Sequence, residues 1–227
     1  MTPPDTTDWD HYYRRPNPAA LITRRITAGR LLGAIKRFAP PRDPGRMVVL
    51  ELGGGGGSFY EVILSRLKPA RYHLVDRNLS GLTTLGSSPQ ADPRVVCHVC
   101  DVRDCHLPIR ADVVFSVGLI EHFGPADTQR VIDTHFAHLA PGGVVIITFP
   151  TPTWLYRLAR GMAEALRLWS FPDERPLTMP EVLAAVDGRG DLAEQGIIWP
   201  IVYTQGLVVV KPRLEPGAER ALRRPAA

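Results

Sequence analysis

Residues 49–58 read Val-Leu-Glu-Leu-Gly-Gly-Gly-Gly-Gly-Ser, five consecutive glycines with an acid, Glu51, two positions before them. Without Cβ atoms, the backbone of Gly53–Gly57 can take positive φ and approach a ligand closely. A strand-to-helix turn of this kind also aims helix N-terminal amides at that ligand. A flexible linker shares the composition, but linkers do not usually join a buried strand to an amphipathic helix. The dinucleotide fingerprint G-x-G-x-x-G fails, because the sixth position counted from Gly53 is Ser58. The spacing G-x-G-x-G holds instead, and Glu51 beside it repels a pyrophosphate while suiting a ligand with positive charge. Further along, Asp76 and Asp101 follow apolar runs, and Glu121-His122 follows another that ends at Val117. His122 sits where a strand meets the carboxyl edge of a sheet, and an imidazole titrates near neutral pH, so it is the first candidate base. Glu121 could orient it or act alone.

Two other groupings have metal-like residue types. Cys97, His98, Cys100, Cys105 and His106 include a C-x-x-C spacing, but residues three apart on a strand point to opposite faces, so no zinc site is expected. His135 and His138 share a helix face with no carboxylate to complete a set, and are expected to be solvated or half-buried. No metal is expected overall.

The elements that must position these residues follow from periodicity and punctuation. Apolar residues from Leu21 to Phe38 recur at helical spacing with arginines between them, a basic amphipathic helix over 19–38. Pro40, Pro41, Pro44 and Gly45 break the chain before Met47–Leu52, an apolar run of the kind buried on both faces of a parallel sheet. Phe59, Val62, Ile63 and Leu67 trace a second helix, and Tyr72–Val75 a strand ending at Asp76. Strands over 94–99, 112–117 and 143–149 continue the alternation, with a helix over 125–139 between the last two, begun by Pro125 and stopped by Pro141-Gly142-Gly143. An apolar helix over 154–169 follows, then a shorter one announced by the capping box Thr178-Met179-Pro180-Glu181. Strands over 192–198 and 207–211 close the sheet as a hairpin-like pair. The tail from Glu215, rich in Arg, Ala and Pro, is expected to fray.

The 227 residues, 44% hydrophobic, suit one α/β domain. Three clustered cysteines make no disulfide framework, and residues 1–10 have neither the basic start nor the apolar run of a secretory signal, so a cytoplasmic location is expected. The longest apolar stretches are short strands such as 144–147, too short to span a bilayer. The net charge of +4 is concentrated towards the ends, in arginines such as Arg24, Arg25 and Arg30 and again in Arg220, Arg223 and Arg224. No aromatic-rich basic strand suggests a nucleic-acid platform, so nucleic-acid binding is not expected.

The segment Val49–Gly57 resembles the first motif of class I S-adenosylmethionine-dependent methyltransferases, valine-leucine-acid-x-Gly-x-Gly-x-Gly. Further segments match in order: Asp76 resembles the family acid that bridges the cofactor's ribose hydroxyls. Cys100-Asp101-Val102 resembles the segment whose Asp accepts from the adenine amino group while the next amide meets the ring. Gly118–Phe123 resembles the stretch lining methyl donor and acceptor, and Leu139–Ile146 the turn and strand that follow. The resemblance spans residues 47–149, more loosely to 211. It implies an α/β, three-layer, Rossmann-like methyltransferase fold, with a mostly parallel seven-stranded sheet and a terminal antiparallel strand. It implies S-adenosyl-L-methionine as cofactor, bound by Glu51, Gly53, Gly55, Gly57, Asp76, Arg77, Asp101, Val102, Ser116 and Tyr13. The expected organisation is an N-terminal cap or lid over 1–45, the cofactor-binding domain over 46–213 and a flexible tail over 214–227. In that cap Trp9, Tyr12 and Tyr13 could fold over the cofactor.

Methyl transfer from a sulfonium is an in-line displacement that demands positioning. A hydroxyl acceptor also needs a base, for which His122 and Glu121 are the candidates; otherwise His122 packs as a pocket wall. The acceptor is expected to be a small molecule, methylated on O, N or C. The competing readings are a cofactor-binding but non-catalytic accessory subunit and an NAD-dependent oxidoreductase, the latter disfavoured by Glu51 and Ser58. The stripe over 154–169 is expected to pack on the sheet, although its tryptophans, leucines and arginines also suit a peripheral membrane contact.

Overall fold

The computed structural model describes residues 6–14, 18–43, 45–86, 92–198 and 204–213. The expected tail over 214–227 lies outside them. The elements run α1 (Trp9–Arg14), α2 (Pro18–Phe38), β1 (Val48–Leu52), α3 (Tyr60–Leu67), β2 (Arg71–Asp76), α4 (Leu79–Gly86), β3 (Val95–Val99) and β4 (Ala111–Val117). After a 3-10 turn (Ile120–His122) come α5 (Pro125–Ala137), β5 (Leu139–Pro150), α6 (Trp154–Ala165), α7 (Met179–Val186), β6 (Asp191–Ile198) and β7 (Gln205–Lys211).

The strands form one seven-stranded sheet in the order β3-β2-β1-β4-β5-β7-β6. The β1–β5 part is parallel, and β7 runs antiparallel between β5 and β6. The apolar runs are explained by burial on both faces, since alternate side chains point opposite ways. Val49, Val113, Phe115, Val144, Ile146 and Val209 join one core with Leu31 and Ile35 of α2 and Ile63 of α3. Leu50, Leu52, Val114, Val145, Ile147 and Val208 join the other with Val131 and Ile132 of α5 and Val182 of α7.

The punctuation acts largely as expected. Pro125 opens α5 after Gly124, and Thr178 caps α7 by accepting from the Glu181 amide. The Glu181 carboxylate does not complete the capping box; it pairs with Arg175 at 2.5 Å. Pro141-Gly142-Gly143 does not precede the strand but lies inside it, in a bulge where the register jumps from Ala111↔Leu139 to Val113↔Val144 and Gly142 has φ +75°.

Three expectations about the helices are corrected. The apolar helix stops at Ala165 rather than Trp169, because Arg167 takes φ +56° and turns Trp169 and Phe171 back towards the sheet edge. Its stripe does not pack on the sheet: Trp154, Leu158, Met162 and Leu166 are exposed, and Tyr156 is the buried residue of that helix. His135 and His138 are fully buried rather than half-solvated, with His135 Nε2 2.9 Å from Ser116 Oγ and Nδ1 against the Val131 carbonyl.

Candidate functional site

The carboxyl ends of β1, β2 and β4 converge where the parallel strand order reverses, the place at which open α/β sheets leave a crevice. The glycine loop forms there. Gly53, at φ +75°, donates its N–H to the Val75 carbonyl at 2.8 Å, and Gly57, at φ +60°, closes the turn onto Gly54 at 2.7 Å. The Gly55 N–H donates to Asp76 Oδ2 at 2.8 Å, fastening the loop to the end of β2. The loop could carry no ordinary side chain: a Cβ on Gly55 would stand 2.7 Å from Asp76 Oδ2, and one on Gly56 2.7 Å from the Tyr13 ring.

Two cavities flank this loop. The smaller, of about 70 Å³, is bordered by Asp76, Arg77, Asp101, Val102 and Leu119. The larger, of about 210 Å³, is bordered by Glu51, Glu121, Glu174 and an aromatic wall that includes Tyr12, Trp169 and Phe171. Both touch Trp9, Tyr13, Gly53, Gly118 and His122, so the two adjoin at those residues. Gly118, at φ +64°, lets the chain leave β4 sharply enough to place Glu121 and His122 at the junction.

Of the residues expected in a cofactor site, Glu51, Gly53, Asp76, Arg77, Asp101, Val102 and Tyr13 border these cavities, while Gly55 and Gly57 shape the loop. Ser116 is a correction. It is fully buried and bonded to His135, because alternation on β4 turns it to the α5 face, away from both cavities. Cys97 packs with one core, and Cys100 and Cys105 with the other.

Neighbouring charge and burial set the protonation of these groups. Glu51 is fully buried beneath the loop; burial pushes its carboxyl up to about 8, against the hydrogen bond donated by the Tyr72 hydroxyl. Burial likewise raises Glu121 to about 8, opposed by the nearby His122. Asp101 is held at about 2 by hydrogen bonds from Arg103, which lies 2.5 Å away. His122 Nδ1 lies 3.3 Å from Asp173 Oδ1 and Nε2 lies 3.9 Å from Glu121 Oε1. Burial opposes the imidazolium, but the bond to Asp173 and the charges of Glu121, Asp173 and Glu174 outweigh it and raise His122 above its ordinary value.

The sequence reading did not single out Asp173 or Glu174. Both follow α6, some fifty residues beyond His122, where no motif flags them; the acid pair in Pro172-Asp173-Glu174 is the only trace. Nor did it anticipate how α1 is tied down. The Asn78 side chain donates to Asp10 at 2.7 Å and caps α4 through the Gly81 N–H, and Tyr13 Oη lies 3.2 Å from Asp76 Oδ2. A Cβ on Gly81 would come 2.6 Å from the Gly55 carbonyl, so that glycine lets α4 press against the loop.

A seven-stranded sheet of this order, with a glycine loop, an acid ending β2 and an acid after β3, defines the class I methyltransferase fold. A family profile described as a methyltransferase domain matches residues 23–182, and the chain belongs to that family; it is an S-adenosylmethionine-dependent methyltransferase. Solved structures share the fold. N-methyltransferase NodS from Bradyrhizobium japonicum, in complex with S-adenosyl-L-homocysteine, is 13% identical with TM-score 0.65 over 90% of this chain and 93% of that one. Magnesium protoporphyrin IX methyltransferase from Synechocystis with bound S-adenosylhomocysteine is 12% identical with TM-score 0.63 over 86% and 84%. An S-adenosylmethionine-dependent methyltransferase from Clostridium acetobutylicum is 14% identical with TM-score 0.59 over 83% and 91%. No curated protein sequence matches the chain.

Proposed function

We propose that the chain transfers the cofactor's methyl group to a small molecule held in the larger cavity, with adenosine in the smaller one. The observation that carries this reading is the junction at Gly53, Gly118 and His122, where a crevice lined by acids adjoins a chamber lined by aromatic rings. The residues present fit the cofactor: the loop leaves a cradle that a Cβ would fill, and Asp76 is a buried carboxylate at its edge. Bound there, the cofactor supplies an electrophilic methyl on a sulfonium.

Asp76 accepts from the ribose hydroxyls with Arg77 beside it, and Asp101 accepts from the adenine amine while the Val102 N–H meets the ring. The loop at Gly53, Gly54 and Gly56, which borders the larger cavity, would cradle the methionine end, with the Glu51 carboxylate below compensating its ammonium. Within the expected cap over 1–45, α1 is the lid: Trp9 and Tyr13 close over the junction and exclude water, which strengthens the electrostatics inside. Asp173 fixes the proton on His122 Nδ1 and leaves Nε2 free as the base towards the acceptor. Glu121 adds negative charge beside it.

With S-[methyl-³H]adenosylmethionine, label is expected in the small-molecule fraction of a metabolite extract. Label in protein or RNA instead overturns the choice of acceptor class.

The two raised carboxylates make cofactor binding pH-dependent. A group whose folded pKa lies above its unfolded value contributes stability below the unfolded value and loses it as pH rises through the folded one. The cofactor-free protein therefore loses stability between pH 4.5 and about 8. A bound cation favours the ionised carboxylates and offsets that loss. The rise in Tm on adding S-adenosylmethionine is expected to be about 2–4 °C larger at pH 8.5 than at pH 6.5 by scanning calorimetry; an equal or smaller rise contradicts the role given to Glu51.

A second reading, for a partner, is favoured by the outer face of α6. Trp154 (73% exposed), Leu158, Met162 and Leu166 form an unbroken apolar stripe flanked by exposed Arg157 and Arg167, a pattern suited to an anionic membrane surface. Leu168 continues it to the rim of the larger cavity. No helix among the described residues is long and apolar enough to cross a membrane. Co-sedimentation with phosphatidylglycerol vesicles, lost in the double variant Leu158→Asp and Met162→Asp, is the expected result; no sedimentation of the unaltered protein ends this reading.

A further inference from the structure

We infer that the acceptor is an amine on an aromatic body, its ammonium seated among Glu121, Glu174 and His122. This rests on the methyltransferase reading above and names the chemical class of its acceptor.

Glu121 is 2% exposed, and its Oε2 has no hydrogen-bond partner among the described residues although the side chain borders the larger cavity. A buried carboxylate oxygen left unpaired is destabilising, so a donor brought by the ligand would complete it. Arg175, whose backbone amide donates to the Glu121 carbonyl at 2.9 Å, turns its guanidinium to Glu181 instead.

Glu174 stands opposite, fixed by the Tyr156 hydroxyl, with Arg160 3.6 Å from it. One ligand atom from each of Glu121, His122 and Glu174 lies within 4.8 Å of the other two. Three acceptors about 2.8 Å from a tetrahedral nitrogen stand about 4.6 Å apart, whereas tetrahedral ligands at zinc distances stand about 3.4 Å apart. The 3.9 Å between His122 Nε2 and Glu121 Oε1 lies between these two spacings and admits either, and the aromatic walls of the chamber favour the ammonium. A hydroxyl acceptor, with a single proton to donate, would leave two of the three acceptors unserved.

The walls agree. Trp9 packs edge-on against His122 with ring centroids 4.8 Å apart, Phe171 lies 5.9 Å from His122, and Trp169 lies 5.9 Å from Phe171. Aromatic faces attract cations as well as apolar rings. The larger cavity is bordered by three carboxylates, Glu51, Glu121 and Glu174, and by Arg24, which donates to the Tyr12 hydroxyl. Once Glu51 is assigned to the cofactor's ammonium, Glu121 remains for a second cation, with Glu174, already 3.6 Å from Arg160, beside it. The raised pKa of Glu121 agrees with a site whose positive partner arrives with the ligand.

The chemistry balances. The ammonium gives one proton to His122 Nε2, and the freed nitrogen pair forms the N–C bond. The C–S bond breaks with its electrons going to sulfur, and the product keeps one positive charge as a methylated ammonium beside the same two carboxylates.

The test is calorimetric titration of tyramine and tryptamine, against the isosteric alcohols tyrosol and tryptophol, into protein saturated with S-adenosylhomocysteine. The amines are expected to bind at least tenfold tighter, and Glu121→Gln and Glu174→Gln each to reduce that preference at least threefold; cofactor titrations on the same preparations verify that the variants are folded. Equal affinity for amines and alcohols, or no binding of either at millimolar concentration, overturns the inference. So does stoichiometric binding of Mg²⁺ or Zn²⁺ that Glu121→Gln abolishes. Methyl transfer to alcohols but not to amines removes this inference while leaving the methyltransferase reading intact, whereas failure to bind S-adenosylhomocysteine strikes that reading itself.

Discussion

Asp76→Ala is expected to weaken S-adenosylhomocysteine binding by about 10- to 100-fold in isothermal titration. Hydrogen bonds to an ionised group contribute about 1.5–3 kcal/mol each, and every 1.4 kcal/mol is tenfold in affinity. The 7% exposed Asp76 carboxylate also accepts the Gly55 amide at 2.8 Å and the Asn78 amide at 2.7 Å. Removing it takes away the Gly55 anchor of the glycine loop as well as the carboxylate proposed for the ribose. Asp76→Asn keeps the shape but halves the acceptor capacity, and falls between the two. Affinity unchanged in Asp76→Ala would place the sugar elsewhere.

The second large effect is on turnover. His122→Ala is expected to lower kcat by about 10²- to 10⁴-fold, the span usual for a positioned general base, with S-adenosylhomocysteine affinity changed only a few-fold. In the unaltered enzyme kcat/KM is expected to rise with pH as His122 loses its proton, at a pH above 6.5 because Asp173, Glu121 and Glu174 outweigh its burial. Asp173→Asn removes one of those raising influences and replaces the charged acceptor of Nδ1 by a neutral amide. Its acid limb is therefore expected to move to lower pH while the plateau rate drops. A limb that stays in place in Asp173→Asn contradicts the coupling, and turnover unchanged in His122→Ala leaves His122 as a wall of the pocket.

What the sequence could show of this site followed from the physics of each part. Parallel strands buried on both faces must be continuous apolar runs, so β1, β2, β4 and β5 stand out, and Gly53–Gly57 can occur between a strand and a helix for few reasons. Asp76 was legible because it ends such a run, whereas Asp101 follows the half-buried edge strand β3 and is marked by the resemblance of Cys100-Asp101-Val102 to a family segment. By contrast, α1 has six residues, too few to show a helical period, and in α4, Leu-Ser-Gly-Leu-Thr-Thr-Leu-Gly, the weak helix formers Ser, Gly and Thr outnumber the leucines, and the helix is held by Asn78 and the loop it touches.

Alternation along β4 says that Phe115 and Ser116 point to opposite faces but not which face borders the cavities, so the burial of Ser116 against His135 was not legible. An apolar stripe identifies a face without saying what covers it, which is why α6 was expected against the sheet. Asp173 and Glu174 reach the site through a turn at Arg167 in the left-handed region, a conformation that an arginine does not announce. The residues that complete the pair at Glu121-His122 were therefore the least legible part of the molecule.

A crystal structure with S-adenosylhomocysteine bound tests the central claim most directly. The account predicts the ribose on Asp76, the adenine beside Asp101 and Val102, and the sulfur at the junction of the two cavities, facing the chamber that holds His122 and Glu121. Adenosine in the larger chamber, or a sulfur turned away from His122, contradicts it.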